Sequence, residues 1–316
     1  MPKIMLVRPA VQKVRSPPRE LDHIGVLRCR MGRDERVTKR VEGKVCFVTG
    51  AARGQGRSHA VRLAEEGADI IAVDLAARID TVPYALGTSE DLARTVEEVE
   101  ALGRRIVAAK ADVRDFAALK SALDEGVARL GGLDVVCANA GIFSTARLED
   151  LEDAAWADML GVNLTGVWHT IKAAIPHLRA RKGGSIILTG STGGQRAMEN
   201  VGHYVAAKHG VVGLMRTAAL ELGSENIRVN VVHPTTVDTG MIQNQSTYDV
   251  VAPDLPRSDR TRETAAPRFQ SMHTLPVPWV EPRDVSNAVL WLASEESRYV
   301  TGSEVRVDAG QVIKHV

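Results

Sequence analysis

Tyr204 and Lys208 stand four residues apart in Tyr204-Val205-Ala206-Ala207-Lys208, within a stretch of helical patterning. Positions i and i+4 share one face of a helix, about one turn apart. A phenol near its ordinary pKa of about 10 is a poor base at neutral pH. A fixed ammonium beside it favours the phenolate, and a drop of about 2–3 units needs roughly 3–4 kcal/mol of differential interaction. That would suit the pair to move a proton to or from an alcohol oxygen. Ser191 closes the apolar run Ser185–Leu188 and offers a hydroxyl to orient such an oxygen. Asn163, in the helical stretch before that run, offers an amide able to hold a water or a backbone group. Singly these residues mean little, since a YxxxK pair is commonly a tyrosine and a solvated lysine, and Thr189–Gly194 alone is a polar loop.

A second chemical feature lies upstream. Thr49-Gly50-Ala51-Ala52-Arg53-Gly54-Gln55-Gly56 follows one apolar run and precedes a helical one. Glycines in that order allow a tight turn and let the backbone approach a pyrophosphate at a helix N-terminus. Asp74 follows Gly50 by 24 positions at the end of the next apolar run. A carboxylate about 20 residues on is placed to bind a ribose 2′-hydroxyl. It would repel a 2′-phosphate, which favours NAD over NADP. Arg53 argues the other way, because a guanidinium beside the turn can pair with that phosphate. The direct clash of a carboxylate with a phosphate dianion weighs more.

These groups need a scaffold, and the sequence alternates apolar runs with helical stretches from Lys44 onward. Strands are expected at Lys44–Thr49, Asp69–Val73, Arg105–Ala109, Leu133–Cys137, Ser185–Leu188, Ile227–Val232 and Glu304–Val307. Helices are expected at His59–Glu66, Ser89–Leu102, Phe116–Leu130, Trp156–Ala180, Gly202–Leu222 and Asp284–Ala293. That rhythm predicts an α/β fold, a single Rossmann-type doubly wound parallel sheet with helices on both faces. One domain is expected over residues 41–316. Two segments break the rhythm: 76–90, where a short connection would do, and 239–280, which is long and proline-bearing. Both leave carboxyl ends of strands, where ligands bind in open α/β sheets. Residues 76–90 read as an insertion and 239–280 as a substrate lid, with Met241, Met272 and Trp279 pointing to an apolar pocket.

A formal net charge of +1 over 316 residues gives no support to nucleic-acid binding through bulk charge. Three scattered cysteines (Cys29, Cys46 and Cys137) suit reduced thiols and a cytoplasmic location. No apolar run reaches about 18 residues, so no membrane span is expected. Residues 1–44 carry twelve Lys/Arg against five Asp/Glu. Residues 1–40 therefore read as a basic, disordered N-terminal extension with no part in the chemistry. A basic arm for an acidic partner, and translation from Met31, are the alternatives.

Taken together, residues 41–316 resemble the short-chain dehydrogenase/reductase family. The resemblance is carried by Thr49–Gly56, Asp112-Val113, Asn139-Ala140-Gly141, Asn163, Ser191, Tyr204, Lys208 and His233-Pro234-Thr235-Thr236-Val237-Asp238-Thr239. It implies alcohol–ketone interconversion with Tyr204 as acid/base, Lys208 assisting it and holding the nicotinamide ribose, Ser191 on the reacting oxygen and Asn163 in a proton relay. It places Asp112 and Val113 at the adenine, and Val237 and Thr239 near the carboxamide. Two departures are mild: Ala138 replaces an asparagine, and Gly190 precedes Ser191. Ala51–Ala60, His203–Arg216, Val232–Thr239 and the extra segment after Asp74 are similar to the actinobacterial carveol-dehydrogenase-like branch, coupled to the peptide-derived carrier mycofactocin. That implies a cover over bound NAD at 76–90, a small hydrophobic secondary alcohol as substrate, and a homotetramer. The competing readings are an NADPH-dependent carbonyl or 3-oxoacyl reductase, supported locally by Arg53 alone, and a non-catalytic NAD-binding protein.

Overall fold

Seven runs of four to eight residues, most of them rich in Val and Ile, become strands; the inner five are buried on both faces, whereas the edge strands at the two ends of the sheet are partly exposed. The computed structural model describes residues 39–314, so the N-terminal extension, Cys29 and Met31 lie outside the described residues. The strands are β1 (Val45–Thr49), β2 (Asp69–Asp74), β3 (Ile106–Lys110), β4 (Val135–Ala138), β5 (Gly184–Thr189), β6 (Ile227–Pro234) and β7 (Glu304–Val307). They form one sheet in the order β3-β2-β1-β4-β5-β6-β7, and every pairing is parallel.

The connecting helices are α1 (Gly54–Glu65), α2 (Ser89–Glu100), α3 (Phe116–Leu130), α4 (Asp153–Leu160), α5 (Gly166–Ala180), α6 (Gly202–Leu222), α7 (Gln245–Val251), α8 (Arg262–Ser271) and α9 (Pro282–Ala293). Alternation along β1 shows how the sheet is covered. Val45 and Phe47 join a core with Leu119 and Leu123 of α3, Ile171 of α5 and Met215 of α6. Cys46 and Val48 face the opposite core, with Leu63 of α1, Val99 of α2 and Leu290 of α9. Caps mark several starts. Asp115 accepts from Ala117 and Ala118 N–H groups at α3, and Thr88 with Asp91 forms a capping box at α2.

Three elements differ from expectation. α1 begins at Gly54, not His59, because its first turn is the end of the glycine turn itself. The expected helix Trp156–Ala180 is α4, a π-helical turn over Gly161–Thr165, and α5. Residues 239–280 are not a bare loop, since they hold α7 and α8. Asn244 and Thr261 cap these helices through side-chain bonds to Thr247 and Thr264 N–H. Tyr248, Ala265 and Phe269 form a small third core there. Among the described residues, no helix is long and apolar enough to cross a membrane.

Candidate active site

Strand order reverses around β1, which lies between β2 and β4, and this switch point opens a crevice at the carboxyl ends of the strands. The glycine turn leaves β1 there, with Gly50 and Gly54 at φ +69° and +55°. A Cβ on Gly56 would stand 1.9 Å from the Gly50 carbonyl oxygen, and one on Gly50 would stand 2.8 Å from Ala140 Cα. No side chain fits at either place. The turn from β4 is stitched to it. Thr49 Oγ1 accepts from the Asn139 and Ala140 N–H groups at 3.1 Å, and Asn139 Nδ2 donates to the Thr49 carbonyl at 3.0 Å.

A groove runs over this turn, lined by Gly50, Arg53, Gly54, Gln55, Gly56, Asp74, Asp112, Val113, Asn139, Ala140, Gly141 and Thr239. All the expected cofactor-site residues upstream of β5 are thus brought together. Asp74 receives the Ala52 and Ala76 N–H groups, each at 2.9 Å. Gly87 packs against it so closely that a Cβ would approach Asp74 Oδ1 to 3.2 Å. Arg53 points elsewhere, donating to the Ala85 carbonyl at 2.6 Å and lying against Gly240. Asp112 is paired with Arg114; burial pushes its carboxyl up, but the Arg114 bonds outweigh that and hold it below the usual range. A bare glycine cradle at a helix N-terminus, with a carboxylate beside it, fits a dinucleotide.

Residues 76–88 bring side chains that sequence reasoning missed. Ile79, Tyr84 and Leu86 line the groove, and the Tyr84 hydroxyl accepts from the Phe143 N–H at 3.1 Å. Phe143 stands edge-on to Tyr204 with ring centroids 5.1 Å apart. An aromatic in the insertion was the available signal for Tyr84; its contact with Phe143 depends on the fold.

A second cavity of about 300 Å³ adjoins the groove and shares Gln55, Asn139, Gly141, Ile142, Thr239 and Met241 with it. Ser191, Tyr204 and Lys208 all line it. The rest of its wall is largely apolar: Phe143, Met198, Val201, Ile242, Val250, Val251, Phe269 and Met272, with Val237 at the strand end. Met241 and Met272 are where expected. Trp279 is not in the wall; it packs on Phe269 and lies under the Arg262 guanidinium.

Lys208 Nζ donates to the Thr189 carbonyl at 2.8 Å and lies 5.6 Å from the centre of the Tyr204 ring. Burial pushes the Lys208 ammonium down to about 8. The Tyr204 phenol is raised by burial, with the Ser191 hydroxyl acting the other way. In the protein alone burial prevails, and the group that opposes it is Ser191, not the lysine expected from the sequence. The Asn163 amide is tied to its neighbours: Oδ1 accepts from Ile142 N–H at 2.8 Å, and Nδ2 donates to Ile142 O at 2.9 Å and to Met159 Sδ at 2.9 Å. Of the two uses foreseen for it, holding a backbone group is the one these bonds describe.

The model of the family described as enoyl-(acyl carrier protein) reductase matches residues 50–311. A protein of Mycolicibacterium smegmatis named as a short-chain type dehydrogenase/reductase is 61% identical over 282 residues, covering 87% of this chain and 99% of its own. The chain belongs to the short-chain dehydrogenase/reductase family. Within that family it is similar to the (-)-trans-carveol dehydrogenase of Rhodococcus erythropolis, 52% identical over 277 residues, covering 87% of this chain and 99% of that one. The carveol dehydrogenase of Mycobacterium avium, solved in complex with NAD, superimposes with a TM-score of 0.86 at 57% identity. It covers 88% of this chain and 100% of its own. This short-chain dehydrogenase is accordingly an oxidoreductase.

Proposed function

We propose that this chain is an NAD-dependent dehydrogenase that interconverts small hydrophobic secondary alcohols and ketones, with Tyr204 as the acid/base. The observation that carries the reading is the convergence of Ser191, Tyr204 and Lys208 on one apolar cavity that shares a wall with the glycine-lined groove. The Ser191 hydroxyl holds the alcohol oxygen, and Tyr204, as phenolate, takes the hydroxyl proton as the carbonyl forms. When bound, NAD supplies the hydride acceptor and a positive charge beside the phenol. Gly50, Gly54 and Gly56 admit the pyrophosphate, and Asp74 takes the adenine-side ribose. Lys208 holds the other ribose and favours the phenolate, while Val237 and Thr239 flank the carboxamide. Asn163 acts through Ile142, whose backbone it fixes.

Asp74, fixed by the Ala52 and Ala76 N–H groups and crowded by Gly87, disfavours a 2′-phosphate, whereas Arg53, a cation that lines the same groove while donating to the Ala85 carbonyl, is what supports the NADPH reading. Residues 76–90, of which Ala77, Ile79, Tyr84, Leu86 and Gly87 line this groove, serve as its cover, so that NAD is held through turnover and reoxidised by a mycofactocin-type carrier. A homotetramer extends the same reading. The test is a screen of cyclic secondary alcohols with an artificial electron acceptor beside free NAD. Cyclic alcohols should be oxidised, and protein passed through gel filtration should keep its NAD. Rapid multiple turnover on free NAD would contradict the held cofactor, and activity only with NADPH would contradict the cofactor assignment.

A further inference from the structure

His233 is the penultimate residue of β6 and is wholly buried. Its Nδ1 donates to the Ser191 carbonyl oxygen at 2.6 Å and lies 3.1 Å from the Ser191 backbone nitrogen. Its Nε2 faces Glu304 on β7, 3.2 Å from Oε2, but off the line of a hydrogen bond. Glu304 is itself held by Gln195 at 2.7 Å and by Arg216 at 2.6 Å. The sequence carries the mark of this packing. A Cβ on Gly190 would stand 2.6 Å from His233 Nδ1, so the imidazole requires glycine before the serine.

We propose that His233, braced by Glu304, is a positioning residue for the reaction: it grips the backbone of Ser191 and thereby aims the hydroxyl at the Tyr204 phenol. The proposal rests on the reading that Ser191 holds the reacting oxygen. Ser191 has an extended backbone, and its Oγ accepts from the Gly193 N–H at 3.1 Å. A rotation of either flanking peptide would therefore swing Oγ across the cavity mouth. Nδ1 lies against both peptides and fixes the turn through its bond to the carbonyl.

The shortest contact of the ring chooses its tautomer. Nδ1 lies 2.6 Å from an oxygen that can only accept, so the ring proton sits on Nδ1 and is donated to the Ser191 carbonyl, while Nε2 has no hydrogen-bond partner. Burial pushes the Glu304 carboxyl up, but the Gln195 and Arg216 bonds prevail and hold it below the usual range. Burial, with Lys208 on α6 acting in the same direction, outweighs the Ser191 bond and the pull of Glu304 and holds the His233 imidazole below its usual range.

The test compares two substitutions in the full-length enzyme loaded with NAD. His233→Phe keeps the ring shape and removes both nitrogens; His233→Asn returns a hydrogen-bonding amide near the Nδ1 position. With excess (-)-trans-carveol as probe, His233→Phe should slow the first hydride transfer by about 10- to 100-fold, the scale of a small misplacement. KM and NAD affinity should stay within about twofold, and His233→Asn should restore most of the rate. A wild-type rate in His233→Phe, or equal loss in both His233 variants, would overturn the proposal. Should His233→Phe fail to fold, or carveol prove inert in the wild type, ring ¹⁵N shifts at pH 8 decide it. The signal absent from His233→Asn should report the Nδ1–H form. An Nε2–H ring in the wild type would overturn it. Inert carveol alone counts against the substrate class, not against His233.

Discussion

The groove at the switch point and the cavity beside it are built by opposite means. The groove is backbone: glycines that admit no Cβ, Thr49 and Asn139 stitching two strand ends, and Asp74 fixed by two N–H groups. The cavity is mostly side chain, and its outer wall comes from residues 239–280, whose own core is only Tyr248, Ala265 and Phe269. A dinucleotide's pyrophosphate demands close backbone approach, which few sequences provide. An apolar alcohol demands only shape, which many side chains can supply. The first region should therefore be intolerant and the second adaptable.

The sharpest way to break that contrast is Gly56→Ala. Its Cβ would fall 1.9 Å from the Gly50 oxygen, so the turn must open, and NAD binding measured by titration should weaken by about 100-fold or more. Next come two phenylalanines. Phe47→Ala, in the middle of β1, should lower the stability of the whole fold by about 3–5 kcal/mol in urea unfolding. Phe269→Ala should leave that transition nearly in place, because its small cluster opens locally, and should instead raise KM for a hydrophobic alcohol several-fold.

Lys208 tests the meeting point of the two regions. Its ammonium is depressed to about 8 in the folded protein, against 10.5 as the ordinary value. Between those values the unfolded chain binds more protons, so stability of the NAD-free protein should rise from pH 8 to 10. Below pH 8 the cost, at most about 3 kcal/mol, is fully present. Lys208→Met should remove this pH dependence in thermal melts while abolishing turnover. Asp74→Ala should leave NAD affinity about tenfold weaker, with discrimination against NADP relaxed. Unchanged preference there would detach Asp74 from the ribose.

Legibility in the sequence follows the same division. The parallel sheet was readable because doubly buried strands and intervening helices leave different periods, and the starts of α2, α3 and α6 and the whole of β7 fell where patterning put them. The glycine turn was readable because its constraint is local. Residues 239–280 misled because α7 and α8 are short, weakly periodic helices held by Asn244 and Thr261 caps and a few distant contacts. Tyr84 and the tie between Asn163 and Ile142 join residues far apart in the chain, and no local pattern announces them. Gly190 looked like a mild departure until His233 was seen to fill the space its side chain would need.

Proton transfer by Tyr204 is the central step, and Tyr204→Phe isolates it. Phenylalanine keeps the ring against Phe143 and removes only the hydroxyl. The decisive measurement is the rate of NADH appearance when NAD-loaded Tyr204→Phe meets an excess of an alcohol that the wild type oxidises, with NAD affinity measured alongside. The account predicts a loss of about 10²–10⁴-fold with NAD affinity within twofold of wild type. A variant that makes NADH at close to the wild-type rate would contradict it.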